Sequence, residues 1–387
     1  VERAFLIAVD TGNDPGWPAV DSLEELASLA RTAGAEIVGA EWQQRRHADP
    51  DTYIGAGKAR ELLAAKAETG FTLLIADDEL SPTQQRGLEE VLEVKVIDRS
   101  RLILDIFAMH ARTHEGRLQV ELAQLEYQLP RLTKLWTHLS RTGGGIGTRG
   151  PGESQLETDR RLIRDRISLM KARVDQVRRS RETGARARSA GGVPTVAIVG
   201  YTNAGKSTLL NSLVGSNAVL AEDRLFATLD PTMRAVKLPS GMDVILSDTV
   251  GFISDLPTEL VASFRATLEE VTAAQLVVHV RDIAHPETAE QAQDVNTILE
   301  TLGLDRDVPR IEMWNKSDIL DPSALEALQN AAERSDDVFI TSALTGAGAT
   351  GLYAPPSVGS EARQRAAGIL GVSGTVVWVD DESAMDV

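Results

Sequence analysis

One stretch of the chain restricts its fold more than any other. A β-branched apolar run at 195–199 leads into a glycine-rich loop with the spacing G-x-x-x-x-G-K-S, and an apolar helical pattern follows the loop. A strand that passes through such a loop into a helix is characteristic of the P-loop nucleotide-binding fold. The stretch therefore predicts an α/β domain with a mostly parallel sheet and helices on both faces.

The residues of this loop suit a bound nucleotide. Glycines allow successive backbone amides to converge on phosphate oxygens, Lys206 can neutralise the β- and γ-phosphates, and the Ser207 hydroxyl can bind Mg²⁺. We expect nucleotide contacts from Gly200, Asn203, Ala204, Gly205, Lys206, Ser207 and Thr208.

A second apolar run, 244–246, ends in the sequence Ser-Asp-Thr-Val-Gly at 247–251. Asp248, at the strand end, can hold Mg²⁺ through water, and the amide of Gly251 can donate to the γ-phosphate. The two residues together are typical of a γ-phosphate sensor. A glutamine that orients water often follows the sensor glycine, but Phe252 stands here. We therefore expect slow unaided hydrolysis that a partner accelerates, assign no catalytic base, and regard a packing role for Phe252 as at least as plausible as a direct one.

A polar, proline-containing segment at 226–231 lies between the loop and the sensor and suits a switch segment. From it we expect nucleotide contacts by Phe226, Ala227 and Thr228. Thr228 is the favoured second hydroxyl ligand of Mg²⁺ and Thr232 the alternative, since spacing does not decide between them.

Residues that can select the base of the nucleotide lie further along the chain. The apolar run 308–314 leads into Asn315, Lys316 and Asp318. The Asp318 carboxylate can accept hydrogen bonds from the N1 and N2 groups of guanine, and the Lys316 stem can lie along the purine face. Another strand-like run, 338–341, precedes three residues expected to approach guanine O6: Ser342, Ala343 and Leu344. The order of these elements predicts that the ligands are GTP and GDP.

The N-terminal quarter has a different pattern. Apolar runs at 4–9, 36–42, 72–76 and 94–98 alternate with helical stretches at 22–32, 58–68 and 82–92. Strands that alternate with helices predict a small parallel sheet with helical cover. Gly55-Ala-Gly57-Lys58 opens one of these helices, but it lacks the full phosphate-loop spacing, so a helix start is the favoured interpretation.

Two apolar stripes with heptad steps follow. Their members are Leu118, Leu122, Leu125, Leu129 and Leu132, then Ile163, Ile167, Met170, Val174 and Val177. They predict an antiparallel helical hairpin, with the alternative that each helix packs on a neighbouring domain. The connecting stretch 141–152 has six glycines and two arginines. It can act as an RNA-probing tip or as a surface linker. Arg178–Gly192 is predicted to be a linker.

Composition limits the class of protein. The chain has no cysteine, which excludes disulfides and zinc-thiolate sites and favours the cytoplasm, and no apolar run is long enough to span a membrane. Its net charge is -17, but residues 141–192 hold 13 basic and six acidic residues. This basic island suits a polyanionic partner. The chain starts at Val1 rather than at a methionine, which is typical of a truncated start. We expect a monomer.

Several stretches beyond the nucleotide motifs resemble the HflX family of translation-associated GTPases. They are TYIGAGKARELL, RLILDIFAMHARTHEGRLQVELAQLEYQLPRL, SRTGGGIGTRGPGESQLETDRRLIRDRI, FATLDPT and SDTVGFISDLPTELVASFRATLEEV, within about residues 4–348. The resemblance implies a P-loop GTPase domain preceded by a small α/β domain that carries an antiparallel helical hairpin. It also implies binding to the large ribosomal subunit, including rRNA, and the splitting or rescue of stalled ribosomes under stress.

The resemblance also implies which residues contact rRNA: Arg141, Gly143, Gly144, Gly145, Arg149 and Gly150. Two rival functions stay open, an ATP-linked RNA remodeller that uses the N-terminal domain and a GTP-controlled protein scaffold without ribosome binding. We divide the chain into an α/β subdomain (1–98), a helical hairpin (99–182), a linker (183–193), a GTPase domain (194–348) and a tail (349–387).

The tail departs from the family pattern. Family GTPase domains continue with a closing helix, which Pro355 and Pro356 would interrupt here. The tail is expected to be a divergent appendage, disordered, or the product of an altered reading frame.

Overall fold

A computed structural model describes residues 1–12, 18–132, 151–190, 193–214, 225–226, 232–237, 243–254, 268, 271–305, 307–335 and 337–347, without the side chains of 151–156, 178 and 180–190. The chain forms two compact units, and the division along the helix from Pro151 to Ala190 falls between Val177 and Arg178. The glycine-rich stretch 141–150 and the tail 349–387 lie outside the described residues.

The first unit begins with alternating strands and helices. They are β1 (Arg3–Asp10), α1 (Ala19–Thr32), β2 (Glu36–Gln44), α2 (Ala56–Thr69), β3 (Leu73–Ala76), α3 (Pro82–Leu92) and β4 (Lys95–Asp98). The strands form one sheet in the order β2-β1-β3-β4, and every neighbouring pair is parallel. The small parallel sheet predicted from the alternating pattern is confirmed.

One apolar core of this unit lies between the sheet and the helices α2 and α3. Phe5, Ile7 and Val9 of β1 join Leu62 of α2 and Leu88 of α3 in one apolar cluster. Six consecutive residues of β1 are buried, which is the pattern of a parallel strand covered on both faces. The sheet is thereby a rigid base for its carboxyl edge, where the next helix begins.

Helices α4 (Arg99–His110) and α5 (His114–Arg131) complete the first unit, together with the part of α6 (Pro151–Ala190) that precedes Arg178. The two predicted apolar stripes meet in one cluster of eight residues: Leu118, Leu122, Leu125, Leu129, Ile163, Ile167, Met170 and Val174. Ion pairs from Arg166 to Glu121 and from Lys171 to Glu126 flank this seam. The prediction that the stripes pack on each other is confirmed.

The prediction of a linker at 183–193 needs correction. Helix α6 continues to Ala190, so most of 183–193 is helical. Arginine and alanine are among the strongest helix formers, and they supply five of the eight residues from 183 to 190, which outweighs Gly184 within that helical part. The proposed domain boundaries stay a prediction.

The second unit contains the P-loop sheet. After β5 (Thr195–Gly200) and α7 (Lys206–Val214), its elements are β6 (Thr232–Lys237), β7 (Asp243–Asp248), β8 (Leu276–Asp282), α8 (Thr288–Thr301), β9 (Arg310–Asn315), a 3₁₀ turn (Ser317–Ile319), α9 (Pro322–Ala332) and β10 (Val338–Ile340). The strand order is β10-β9-β8-β5-β7-β6, and β6 alone among these strands pairs antiparallel. The predicted mostly parallel sheet is confirmed.

Helices cover this sheet and bury its centre. Helix α7 packs against β5, β6 and β7, α8 against β5 and β8, and α9 against β10. Val196 and Ile198 of β5 lie in one apolar cluster with Leu209 and Leu210 of α7. The carboxyl ends of β5, β7, β8 and β9 therefore meet at one edge. Within the described part of the chain, no helix is long and apolar enough to cross a lipid bilayer.

Candidate nucleotide-binding site

Two glycines fix the path of the loop between β5 and α7. Gly200 has φ +150°, and a Cβ there would lie 2.2 Å from the carbonyl oxygen of Val280. Gly205 has φ +95°, and a Cβ there would lie 2.2 Å from Nδ2 of Asn315. Side chains at either position would be both strained and blocked, so glycine is required for the loop to reach the neighbouring strand ends.

Lys206 lies at the start of α7 and is buried. Its Nζ donates hydrogen bonds to the carbonyl oxygens of Gly200, at 3.0 Å, and Tyr201, at 2.7 Å. Burial lowers the pKa of Lys206 to about 8, and the carboxylate of Asp248 opposes that shift. A buried cation held by neutral carbonyls gains from an anionic ligand, which is the chemistry expected of a phosphate-binding lysine.

The next residue supplies a hydroxyl to the same edge. Ser207 Oγ donates to Oδ2 of Asp248 at 2.7 Å, and Asp248 is fully buried at the end of β7. A hydroxyl and a carboxylate are oxygen donors of the kind that Mg²⁺ prefers, so these two residues fit a nucleotide-bound magnesium ion.

The third expected ligand falls in the switch segment. Thr228 and its neighbour Ala227 lie outside the described residues. The alternative, Thr232, begins β6 and stands opposite Asp248 in the antiparallel register with β7. The choice between the two threonines stays a prediction.

The sensor segment lies directly against the loop. A Cβ at Gly251 would be 2.8 Å from Thr202 Cα and 3.1 Å from Lys206 Nζ, so the backbone of Gly251 closely approaches the ammonium group of Lys206. Phe252 is fully buried, its amide donates to the Gly200 carbonyl at 3.2 Å, and its carbonyl accepts from the Thr202 amide at 2.7 Å. The side chain of Phe252 therefore packs inside the fold, which supports the packing role considered above.

Asn315 ties two parts of the site together. Its Nδ2 donates to the Ala204 carbonyl at 2.8 Å, and its Oδ1 accepts from the Ala343 amide at 2.8 Å. The phosphate loop and the segment after β10 are thereby held to the end of β9. The position of Asn315 at a buried strand end explains why an amide, which can donate and accept at once, stands there.

Asp318 lies on the exposed 3₁₀ turn that follows Asn315. Its Oδ1 accepts a hydrogen bond from Ser342 Oγ at 2.5 Å, and Leu344, two residues after Ser342, is 78% exposed. The residues predicted for guanine recognition therefore converge, although they come from two loops 24 residues apart.

Three other predicted contacts are placed as follows. Asn203 is exposed with φ +58°, Thr208 is half-buried on α7, and Phe226 is buried with φ +57°. The predicted rRNA contacts, Arg141, Gly143, Gly144, Gly145, Arg149 and Gly150, lie outside the described residues.

Sequence reasoning missed two residues of this site, Asp282 and Tyr201. Lys316 has φ +65° and its Nζ pairs with Oδ2 of Asp282 at 2.7 Å. Tyr201 accepts a hydrogen bond from the Ser254 amide at 2.6 Å through its hydroxyl oxygen. A signal for Asp282 is present in the sequence, because a carboxylate follows closely after 276–280, a mostly apolar run of the kind that is typical of a buried strand.

The glycine pair of the first unit serves the start of a helix. Gly55 precedes α2, and its amide donates to Oε1 of Gln43 at 3.0 Å. Lys58 pairs with Glu41 at 2.7 Å and with Glu61 at 3.0 Å. The interpretation of Gly55-Ala-Gly57-Lys58 as a helix start is confirmed.

Comparison with known proteins extends over most of the chain. Three family models match: GTP-binding GTPase N-terminal at 20–108, GTP-binding GTPase Middle Region at 110–188, and 50S ribosome-binding GTPase at 195–316. A crystal structure of a GTP-binding protein from the hyperthermophilic archaeon Sulfolobus solfataricus, in complex with GDP, is 24% identical, covers 89% of this chain and 94% of that one, and has a TM-score of 0.45.

Two relatives are much more similar in sequence. The GTPase HflX of Caldanaerobacter subterraneus subsp. tengcongensis is 50% identical over 320 residues, which are 83% of this chain and 73% of the relative. The GTPase HflX of Escherichia coli K12 is 46% identical over 352 residues, which are 91% of this chain and 81% of the relative. Identity of this extent over most of both partners shows common descent, and the chain belongs to the HflX family of GTPases.

Proposed function

We propose that this protein binds the large ribosomal subunit and uses its nucleotide state to split or rescue stalled ribosomes. Membership of the family makes the chain a GTPase, with a nucleotide-associated divalent metal, and a family model named for 50S ribosome-binding GTPases matches its second unit. The observation that carries the proposal is the combination, in one chain, of the nucleotide site with a long arginine-rich helix.

The chemistry at the nucleotide site follows from its own residues. Lys206 would hold the β- and γ-phosphates, and the Gly251 amide would meet the γ-phosphate. Ser207 and Thr228 would hold Mg²⁺, with Asp248 acting through water. The metal ion, when bound, neutralises charge that develops on the phosphate oxygens. Water is the nucleophile. The apolar, buried Phe252 cannot orient that water, so activation is assigned to the partner.

The nucleic-acid surface is assigned to the helical pair. Arg161, Arg164 and Arg173 are exposed on α6, whereas Arg166 and Lys171 of the same helix pair with α5. Exposed guanidinium groups suit rRNA phosphates. The segment 133–150, which joins the two helices and holds Arg141 and Arg149, is proposed to provide the remaining contacts.

Cosedimentation tests the ribosome contact. The full chain, with a nonhydrolysable GTP analogue at low salt, is expected to sediment with purified large subunits, and binding should weaken steeply as salt rises. Replacing Arg161 and Arg164 by glutamine should flatten that salt dependence, whereas Arg60→Gln, an exposed arginine on α2, is the matched control. Failure to sediment at low salt would refute the proposal and favour the GTP-controlled scaffold.

Two further measurements test the consequence of binding. GTP turnover is expected to rise when large subunits are added, and Lys206→Ala should abolish that rise. Sucrose gradients of intact ribosomes should show free subunits when the protein and GTP are present. Turnover that rises without any release of subunits would leave ribosome binding in place and refute splitting.

A further inference from the structure

Strand β8 ends beside the guanine-recognition loop. Asp282, its last residue, stands opposite Asn315 in the parallel register with β9, and the amide of Ile283 donates to the Asn315 carbonyl at 3.1 Å. The loop that begins at Asn315 is therefore fixed to β8 by its backbone. Asp282 is thus placed at the point where the chain leaves β9 for Lys316 and Asp318.

The carboxylate of Asp282 is held at both oxygens. Oδ2 pairs with Lys316 Nζ at 2.7 Å, and Oδ1 accepts a hydrogen bond from the Ala284 amide at 3.1 Å. The side chain of Asp282 is 15% exposed and that of Lys316 is 23% exposed. A mostly buried, doubly held carboxylate fixes the ammonium group more firmly than a surface ion pair between two mobile chains does.

The backbone of Lys316 is restrained from the other side. Its φ of +65° is unusual for a residue with a side chain, and the next amide, that of Ser317, donates to the Thr341 carbonyl at 3.2 Å. The backbone of Lys316 is thus fixed by β9 and by the end of β10, and its ammonium group by β8. Only the methylene stem between these two fixed ends remains to meet a ligand.

We propose that Asp282 is a positioning residue for nucleotide binding, which sets the Lys316 stem as one wall of the purine subsite before the nucleotide arrives. This inference rests on the proposed placement of the purine against Lys316. A lysine stem loses rotamer freedom when it packs on a base, and an ion pair that has already removed this freedom lowers the cost of binding.

The role differs from that of Asp318. The stem contacts the flat face of the purine, which guanine, hypoxanthine and xanthine share, whereas Asp318 reads the edge, where these bases differ. Loss of the Asp282 carboxylate therefore weakens binding of all three nucleotides by a similar factor. Loss of the Asp318 carboxylate changes the preference among them.

A double-mutant cycle tests the inference in the full chain with fluorescent GDP. Asp282→Ala is expected to raise the Kd about tenfold, the scale of one charged hydrogen bond. Lys316→Met keeps an apolar stem without the ammonium group, and in that background Asp282→Ala should have no further effect. Asp282→Asn, which keeps an acceptor for the Ala284 amide, should fall between the wild type and Asp282→Ala.

A base-exchange control separates this inference from the guanine assignment. Asp318→Asn should shift the preference from GDP to xanthosine diphosphate, and adding Asp282→Ala should then weaken xanthosine diphosphate binding about tenfold as well. If Asp318→Asn does not shift the preference, the guanine assignment fails while the cycle still measures coupling between Asp282 and Lys316.

Two results would overturn the positioning role. The first is an unchanged Kd in Asp282→Ala, and the second is additive losses in Asp282→Ala and Lys316→Met. Thermal unfolding without nucleotide shows whether Asp282→Ala is folded. If it is not, the cycle is run with Asp282→Asn, for which additive losses would also count against the inference.

Discussion

Each of the two sheets of this protein places buried polar residues at its own carboxyl edge, where its parallel strands end, but the two edges use these residues differently. In the first unit these side chains are partnered by one another. In the second unit a buried lysine is held by neutral carbonyls, and two glycines allow the loop that precedes it to pack directly against the neighbouring strand ends. The first edge joins elements of the fold, and the second is arranged for a ligand.

Arg99 is at the centre of the first edge. It is 2% exposed, pairs with Asp77 and with Glu25 at 2.6 Å each, and donates to Ser22 Oγ at 2.9 Å. Burial disfavours the charged guanidinium, but the two carboxylates outweigh it and raise the pKa of Arg99. This group stays charged and joins α1, β3 and α4.

Asp98 ties α5 to the same edge. Its carboxylate accepts hydrogen bonds from the amides of Leu80, at 3.1 Å, and Arg101, at 2.8 Å, from the Tyr127 hydroxyl at 2.8 Å and from Arg131 Nη2 at 2.9 Å. The guanidinium of Arg131 also lies 3.5 Å from the centre of the Tyr127 ring. Buried polar residues at strand ends do not by themselves indicate a ligand site, because they can satisfy one another.

Removal of Arg99 should disrupt the contacts at the first edge and give the largest loss of stability. Arg99→Ala leaves Asp77 and Glu25 buried without their cation, and we expect a loss of about 3–5 kcal/mol in the free energy of unfolding. Urea denaturation of the full chain measures it. Arg86→Ala, which breaks an exposed pair with Glu90, should cost less than about 0.5 kcal/mol. Equal losses in the two variants would contradict the structural role of the first edge.

A methyl group at Gly205 should disrupt the second edge and weaken nucleotide binding. The Cβ of Gly205→Ala would collide with Asn315 Nδ2 and would stand on a backbone with φ +95°, so both the phosphate loop and the Asn315 brace must shift. We expect the Kd for GDP to rise about 100-fold, as for a misplaced binding group. Gly57→Ala on α2, where a Cβ meets open space, is the control and should leave the Kd unchanged. A Kd within threefold of wild type would show that the loop tolerates a side chain.

The second edge could be predicted from sequence because its signal is local. Gly200, Gly205, Lys206 and Ser207 occur in one loop with fixed spacing, and the strand and helix that flank it are unambiguous. The residues predicted for guanine recognition were located in the same way, since they follow predicted strands, and their role in recognition stays a prediction. The alternating pattern likewise located all four strands of the first sheet.

The first edge was not predicted, because its contacts join residues that are far apart in the chain. Arg99 reaches Ser22 across 77 residues, and Tyr127 reaches Asp98 across 29. No spacing rule connects such pairs, and a buried arginine looks the same in a sequence as an exposed one. The pairing of Lys316 with Asp282 was missed for the same reason. The helical end of α6 was not predicted, because composition alone does not distinguish a charged helix from a charged linker.

The pH dependence of nucleotide binding should separate the second edge from the first, because the buried Lys206 can lose its proton in an accessible pH range whereas the buried Arg99 stays charged. Burial lowers its pKa to about 8, and a phosphate beside it favours the charged form and raises that pKa in the complex. Binding then takes up a proton above pH 8, and the affinity for GDP should fall about tenfold between pH 7 and pH 9. Titrations with fluorescent GDP at several pH values measure this.

Lys206→Arg is the control for that measurement, since arginine keeps its charge throughout this range. Guanine itself ionises in alkaline solution, but the variant binds the same ligand, so the difference between the two pH profiles isolates Lys206. Parallel profiles would mean that Lys206 does not titrate in this range and that the second edge resembles the first.

The smallest expected effect concerns the tie between α5 and β4. Burial and the neighbouring Asp98 raise the pKa of Tyr127, so its hydroxyl stays protonated and keeps donating to that carboxylate. Tyr127→Phe removes this hydrogen bond but keeps the ring under Arg131, and we expect a loss of about 1 kcal/mol in the free energy of unfolding. Urea denaturation detects it, and the Kd for GDP should not change. A larger loss, close to that of Arg99→Ala, would mean that Asp98 depends on Tyr127 more than on its other three donors.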